Sequence, residues 1–132
     1  MRTIERREDG FTLIELMIVI TIILILLGMA AGRYEKSVQI ARETTLRYDL
    51  RVLREAIDHY TLDKEAAPQS LEDLQQGGYL REIPLDPITH ARDWQTKFGD
   101  AVLSPDQTSV GIEDLHSNSS AIAMDGTAYS TW

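Results

Sequence analysis

Glu15 is the only ionisable residue in the apolar run from Phe11 to Ala31. A carboxylate at the centre of a membrane helix costs about 2.5 to 3.5 kcal/mol, so one kept in such a run needs a partner or a role that offsets the cost. A second concentration of chemistry lies in "EDLHSNSSAIAMDG", which brings Asp114, Ser117, Asn118, Ser119, Ser120 and Asp125 into one short stretch. Hard oxygens of this type, with backbone carbonyls, are what calcium takes; clusters of Asp, Ser, Asn and Gly are equally the material of polar turns. No convergent acid–base set accompanies either group. His59, His90 and His116 are scattered, and the sequence has no Gly-x-Ser-x-Gly elbow, phosphate-binding glycine loop or His-Glu-x-x-His. The residues do not suggest an enzyme.

The elements that must carry these residues follow from periodicity. A helix of the 21 residues from Phe11 to Ala31 spans roughly 30 Å, one hydrocarbon thickness. Arg2, Arg6 and Arg7 in front of it keep the N-terminus cytoplasmic and send Arg33 onward across. A conventional signal cut at Gly28, Ala30, Ala31 or Gly32 would release a chain starting mid-helix, because the helical pattern continues. Leu46, Leu50, Leu53, Ile57 and Tyr60 form one stripe, read as a helix packed on a sheet. Glu43 with Arg47, Arg51 with Glu55, and Arg54 with Asp58 are spaced to pair along the helix surface. Of the arginines Arg42, Arg47, Arg51 and Arg54, most are expected in solvent, with one or two able to meet a neighbouring acidic head.

Pro68 disfavours helix in the residue before it, which ends the long helix around Asp63 to Ala67. Ser70 with Glu72 and Asp73 predicts an N-cap, and Gly77-Gly78 the stop of a short second helix. Trp94 to Phe98, Ala101 to Ser104 and Ser109 to Ile112 alternate as short antiparallel strands, broken at Gly99-Asp100 and Pro105-Asp106. Tyr79, Trp94, Phe98, Tyr129 and Trp132 are expected in the core or on the sheet.

With 13 basic and 21 acidic residues the net charge is -8, which argues against a non-specific nucleic-acid binder. Such a head repels its own copies, so assembly needs specific contacts or divalent ions. The absence of cysteine excludes disulfides, iron–sulfur clusters and thiolate zinc sites. The residues beyond Arg33 suffice for one small domain.

Gly10, then Phe11-Thr12-Leu13-Ile14-Glu15 and an unbroken apolar helix, resembles the type IV pilin and pseudopilin family. "YLREIPLDP", from Tyr79 to Pro87, is similar to the G-type major pseudopilin of type II secretion systems. The resemblance implies an α+β pilin-like fold: a long N-terminal helix, transmembrane in its first half, packed on a small C-terminal antiparallel sheet. Residues 1–10 would be a leader, 11–32 a transmembrane and assembly helix, 33–67 its amphipathic continuation, and 68–132 a globular head.

In that family a prepilin peptidase cuts after the glycine, here Gly10, the new N-terminal residue, here Phe11, is N-methylated, and the subunit joins a filament. Cleavage would place an ammonium on Phe11, and Glu15 would pair with that of a neighbouring subunit in a low-dielectric interior, fixing one axial register. The implied partners are further copies, other pseudopilins, the prepilin peptidase, an inner-membrane platform and its ATPase, with the membrane and no nucleic acid. The implied place is the inner membrane, single-pass, with the head and filament in the periplasm. The resemblance also implies a calcium-held loop, which would fall on Asp114, Ser117, Ser119 and Asp125. Two features depart from the family: Gly32 stands where a proline is usual, and the acidic, glycine-rich C-terminal segment is not reproduced. Glu15 argues against a tip subunit, which in this family tends to lack it. Alternatives are a subunit of a surface type IV pilus for adhesion, motility or DNA uptake, and a membrane-tethered binding module with an uncut N-terminus.

Overall fold

The computed structural model describes residues 10–104 and 107–132; residues 1–9 of the expected leader and the break expected at Pro105-Asp106 lie outside them. The elements are α1 (Leu13–Lys64), α2 (Leu71–Gln76), β1 (Gln95–Ser104), β2 (Gln107–His116) and a 3-10 turn, Tyr129–Thr131. Two units divide between Val38 and Gln39.

In the first unit α1 starts at a cap. The Glu15 N–H donates to Thr12 Oγ1 at 3.3 Å and the Leu16 N–H to the Thr12 carbonyl at 3.2 Å, so Thr12-x-x-Glu15 carries the spacing of a capping box. The helix then runs through Gly28 and Gly32 without a break. It is long and apolar enough to cross a membrane. The Thr21 hydroxyl returns to the Met17 carbonyl at 2.7 Å, so this polar side chain is satisfied within its own helix, as a hydrocarbon environment demands.

In the second unit the stripe on α1 is the floor of the core. Leu46, Leu50, Leu53 and Ile57 are buried against Leu71 and Leu74 of α2, Ile112 and Leu115 of β2, and Trp94 and Tyr129. Complete burial contributes about 1.5 to 3 kcal/mol per large apolar side chain. Tyr60 lies half-buried at the end of the stripe, edge-on to Tyr79 with ring centroids 5.4 Å apart. The helix ends at Lys64, where Glu65 turns the chain with φ of 51°. Ser70 caps α2 through a full capping box with Asp73, and Gly78 leaves it at φ of 81°, a conformation that favours glycine.

The sheet has two antiparallel strands of ten residues each, where the sequence suggested three shorter runs. Gly99-Asp100 is not a turn: Gly99 pairs with Gly111 and Asp100 with Val110, inside the ladder. The glycine at 111 is required by a close approach. A Cβ there would lie 2.6 Å from the Ala67 Cβ and 2.7 Å from the Pro68 carbonyl oxygen. The same segment covers the outer edge of β2, since the Ile112 N–H donates to Pro68 O at 2.8 Å and Gln69 Nε2 to Val110 O at 2.6 Å. Of the aromatic residues, Trp94 and Tyr129 are buried and Tyr79 and Trp132 half-buried, whereas Phe98 is exposed on the sheet.

Candidate functional site

The N-terminal group is Gly10, Phe11 and Glu15. Phe11 is 85 % exposed and precedes the helix, and Glu15 is exposed in its first turn. A carboxylate in that turn also faces the positive end of the helix dipole. This second reason for Glu15 was readable in Thr12-x-x-Glu15, a signal the apolar run obscures.

The other group is built by α1 on segment 114–132. Three polar residues one turn apart, Gln39, Glu43 and Arg47, and then Arg54, form a second stripe beside the apolar one. Glu43 Oε1 accepts from the Met124 N–H at 2.9 Å, from the Tyr129 hydroxyl at 2.9 Å and from Gln39 Nε2 at 3.2 Å. The Arg47 guanidinium lies 3.9 Å over the Trp132 ring and 3.3 Å from Asp125 Oδ2. Arg54 donates from Nε to Asp114 Oδ1 at 2.6 Å, and from one terminal nitrogen to the main-chain oxygens of Leu115 at 3.0 Å and Trp132 at 2.7 Å. Arg47 and Arg54 therefore reach across to distant sequence. Among the described residues the ion pairs along the helix expected for Glu43–Arg47, Arg51–Glu55 and Arg54–Asp58 are not formed.

Asp86, in the Tyr79–Pro87 segment, is fully buried. Its Oδ1 accepts from the Ile88 N–H at 2.7 Å and the Thr89 N–H at 3.3 Å, and its Oδ2 accepts from the buried Ser117 hydroxyl. Asp86 is thus the knot between the helix-to-sheet connection and segment 114–132. Burial, and secondarily the Asp86 charge, pushes the carboxyl of Asp49 on α1 upward. Asn118 donates to Asp93 Oδ2 at 3.0 Å and accepts from Gln95 Nε2 at 2.7 Å. The hydrogen bonds from Thr89 and Asn118 hold the Asp93 carboxyl below its usual range.

The residues expected to hold calcium do not fit that ion. Asp114 is engaged by Arg54 and, at 2.7 Å, by the Leu115 N–H. Ser117 is spent on Asp86, and Ser119 Oγ accepts from the Ala121 N–H at 3.3 Å. Asp125 Oδ1 takes the Thr127 N–H at 2.9 Å and hydroxyl at 2.6 Å, while its Oδ2 faces Arg47. Arg47 and Arg54 are seven residues apart on α1, about 10 Å of rise, which gives the two carboxylates separate anchors. Among the described residues no three His, Cys, Asp or Glu side chains gather to hold a metal. A dication needing six or more oxygens would have to take Asp114 and Asp125 from guanidinium groups already in place.

Comparison with known proteins agrees with both halves of the chain. Residues 6–31 match the model of the prokaryotic N-terminal methylation motif. The chain is 30% identical over 98 residues to the type II secretion system core protein G of Pseudomonas aeruginosa, covering 62% of this chain and 69% of that protein. It is 31% identical over 140 aligned positions to the core protein G of Aeromonas hydrophila, covering 94% and 88%. The competence protein ComGC of Halalkalibacterium halodurans is 34% identical over 73 residues, 55% of this chain and 72% of that protein. No solved structure matches the chain. An exposed apolar helix that opens on a methylation motif fits a pseudopilin anchored in the inner membrane, and these relatives are structural proteins, not enzymes. The chain belongs to the family of type II secretion system core protein G, the G-type pseudopilins.

Proposed function

We propose that this pseudopilin is cut after Gly10, N-methylated on Phe11 and polymerised into a periplasmic filament of a type II secretion system, with its head exported and its N-terminus drawn from the cytoplasmic side. The supporting observation lies in the first unit: an apolar run from Phe11 to Ala31 whose side chains are uncovered and whose one carboxylate, Glu15, sits close to the expected cut. A tether needs only the apolar surface. A filament subunit needs both, because packing helices of many copies removes the surface from lipid and pairs Glu15 with the Phe11 ammonium of a neighbour. The prepilin peptidase, a membrane platform, an assembly ATPase and other pseudopilins are the partners this reading requires. Intact mass of the protein from membranes tests it. A chain beginning at methylated Phe11 supports the reading, and one beginning at Met1 makes the helix a plain anchor.

The ComGC relative supports a second reading, a filament at the cell surface that serves competence. Secretion and surface filaments, measured in one deletion strain, separate the two.

A further inference from the structure

We propose that Arg54, aided by Arg47, is the resident cation that fastens segment 114–132 to α1, so that the head of this pseudopilin folds without calcium. Three contacts meet at Arg54. Its guanidinium joins the end of β2, through Asp114 and the Leu115 carbonyl, to Trp132, seventeen residues further on. Between those points Asp125 is tied to Arg47, and the Met124 N–H and Tyr129 hydroxyl to Glu43. The fasteners carry both signs along one stripe of α1, an anion at 43 and cations at 47 and 54, each facing its complement on the segment.

The chemistry of a guanidinium suits the task. It gathers a carboxylate and carbonyl oxygens around one permanent positive charge, as a metal ion does, but with donors fixed in a plane and a covalent link to the helix. The Arg54 side chain is 38 % exposed and that of Asp114 33 %, so the pair keeps enough contact with water to avoid the full cost of a buried charge. His116 adds to the same cluster, with Nδ1 at 2.6 Å from the Trp132 main-chain oxygen and Nε2 at 3.6 Å from Asp114 Oδ2. Trp132 closes it: its Nε1 donates to Thr127 Oγ1 at 2.7 Å and its ring lies edge-on to Tyr129.

The test uses the full-length protein in detergent micelles, melted in excess EGTA and in millimolar calcium chloride. A ligand that binds only the folded state raises the midpoint with its concentration. The proposal expects the same midpoint in both buffers, and a midpoint lowered by about 5 °C or more in Arg54→Gln, with Arg54→Lys in between because it keeps the charge and loses the fork. A wild-type midpoint that rises with calcium and falls with EGTA overturns the proposal, whether or not Arg54→Gln folds. So does an Arg54→Gln protein that melts at the wild-type temperature.

Discussion

Arg54 Nε lies 2.6 Å from Asp114 Oδ1, a contact between residues sixty positions apart that draws the end of β2 onto α1. Burial raises the Asp114 carboxyl pKa, but the Arg54 hydrogen bond, the Leu115 N–H and the charges of Arg54 and His116 outweigh it and leave the group below its usual range. Asp125 is lowered too, by hydrogen bonds from Thr127 against burial and by Arg47. A carboxyl lower in the folded than in the unfolded chain stabilises the fold above its unfolded value of about 3.9 and loses that contribution as pH falls through the folded value.

Acid should therefore unfold the head as pH drops below about 4. Asp114→Asn should lower the neutral-pH melting midpoint by about 4 to 8 °C, the equivalent of roughly 1 kcal/mol after allowance for solvent screening. It should also flatten the acid limb of a plot of midpoint against pH. An unchanged acid limb would mean that another carboxylate governs it.

Asp49 has the opposite sign. Its carboxyl is raised by burial and by Asp86, so its charge opposes folding above the folded pKa and the penalty is relieved as pH falls toward the unfolded value. Asp49→Asn should raise the midpoint at neutral pH by about 2 °C, as expected of a few tenths of a kcal/mol in a domain of this size. A lower midpoint would show that Asp49 makes a favourable contact in solution.

The paired glycines of the ladder should differ in their tolerance of alanine. At Gly111 the new Cβ meets the backbone of Pro68 and the side chain of Ala67, neither of which can swing away. At Gly99 the nearest group is the Glu113 side chain, whose carboxylate can swing aside. Chemical denaturation should report a loss of about 1 to 3 kcal/mol for Gly111→Ala and markedly less for Gly99→Ala. Equal losses would contradict the packing of β2 on the 67–69 segment.

Much of this fold was legible because its signals are local. The apolar stripe from Leu46 to Ile57, the Ser70–Asp73 capping box and the Gly78 exit each need only neighbouring residues. What could not be read depends on distant partners. Gly99-Asp100 looks like a turn until β2 is placed beside it and the Ala67-Pro68 crossing explains Gly111. Arg47 and Arg54 look like helix-surface pairs with Glu43 and Asp58, because nothing in the spacing reveals that segment 114–132 folds back over them. For Asp114, Ser117, Ser119 and Asp125 likewise, ligand-type oxygens do not disclose which protein groups already hold them.

Glu15→Ala should leave insertion and cleavage after Gly10 intact and abolish filament assembly, because the lone carboxylate is the proposed register device. Cross-linked ladders of full-length subunits in membranes would show it, and normal ladders from the variant would remove Glu15 from the mechanism.

The assignment to type II secretion is decided most directly in a strain lacking this gene, in which secreted protein in the supernatant and filaments sheared from the surface are measured in the same culture. Lost secretion with surface filaments intact is the result expected of a type II pseudopilin. Lost filaments with secretion intact would contradict it and make the chain a subunit of a surface pilus.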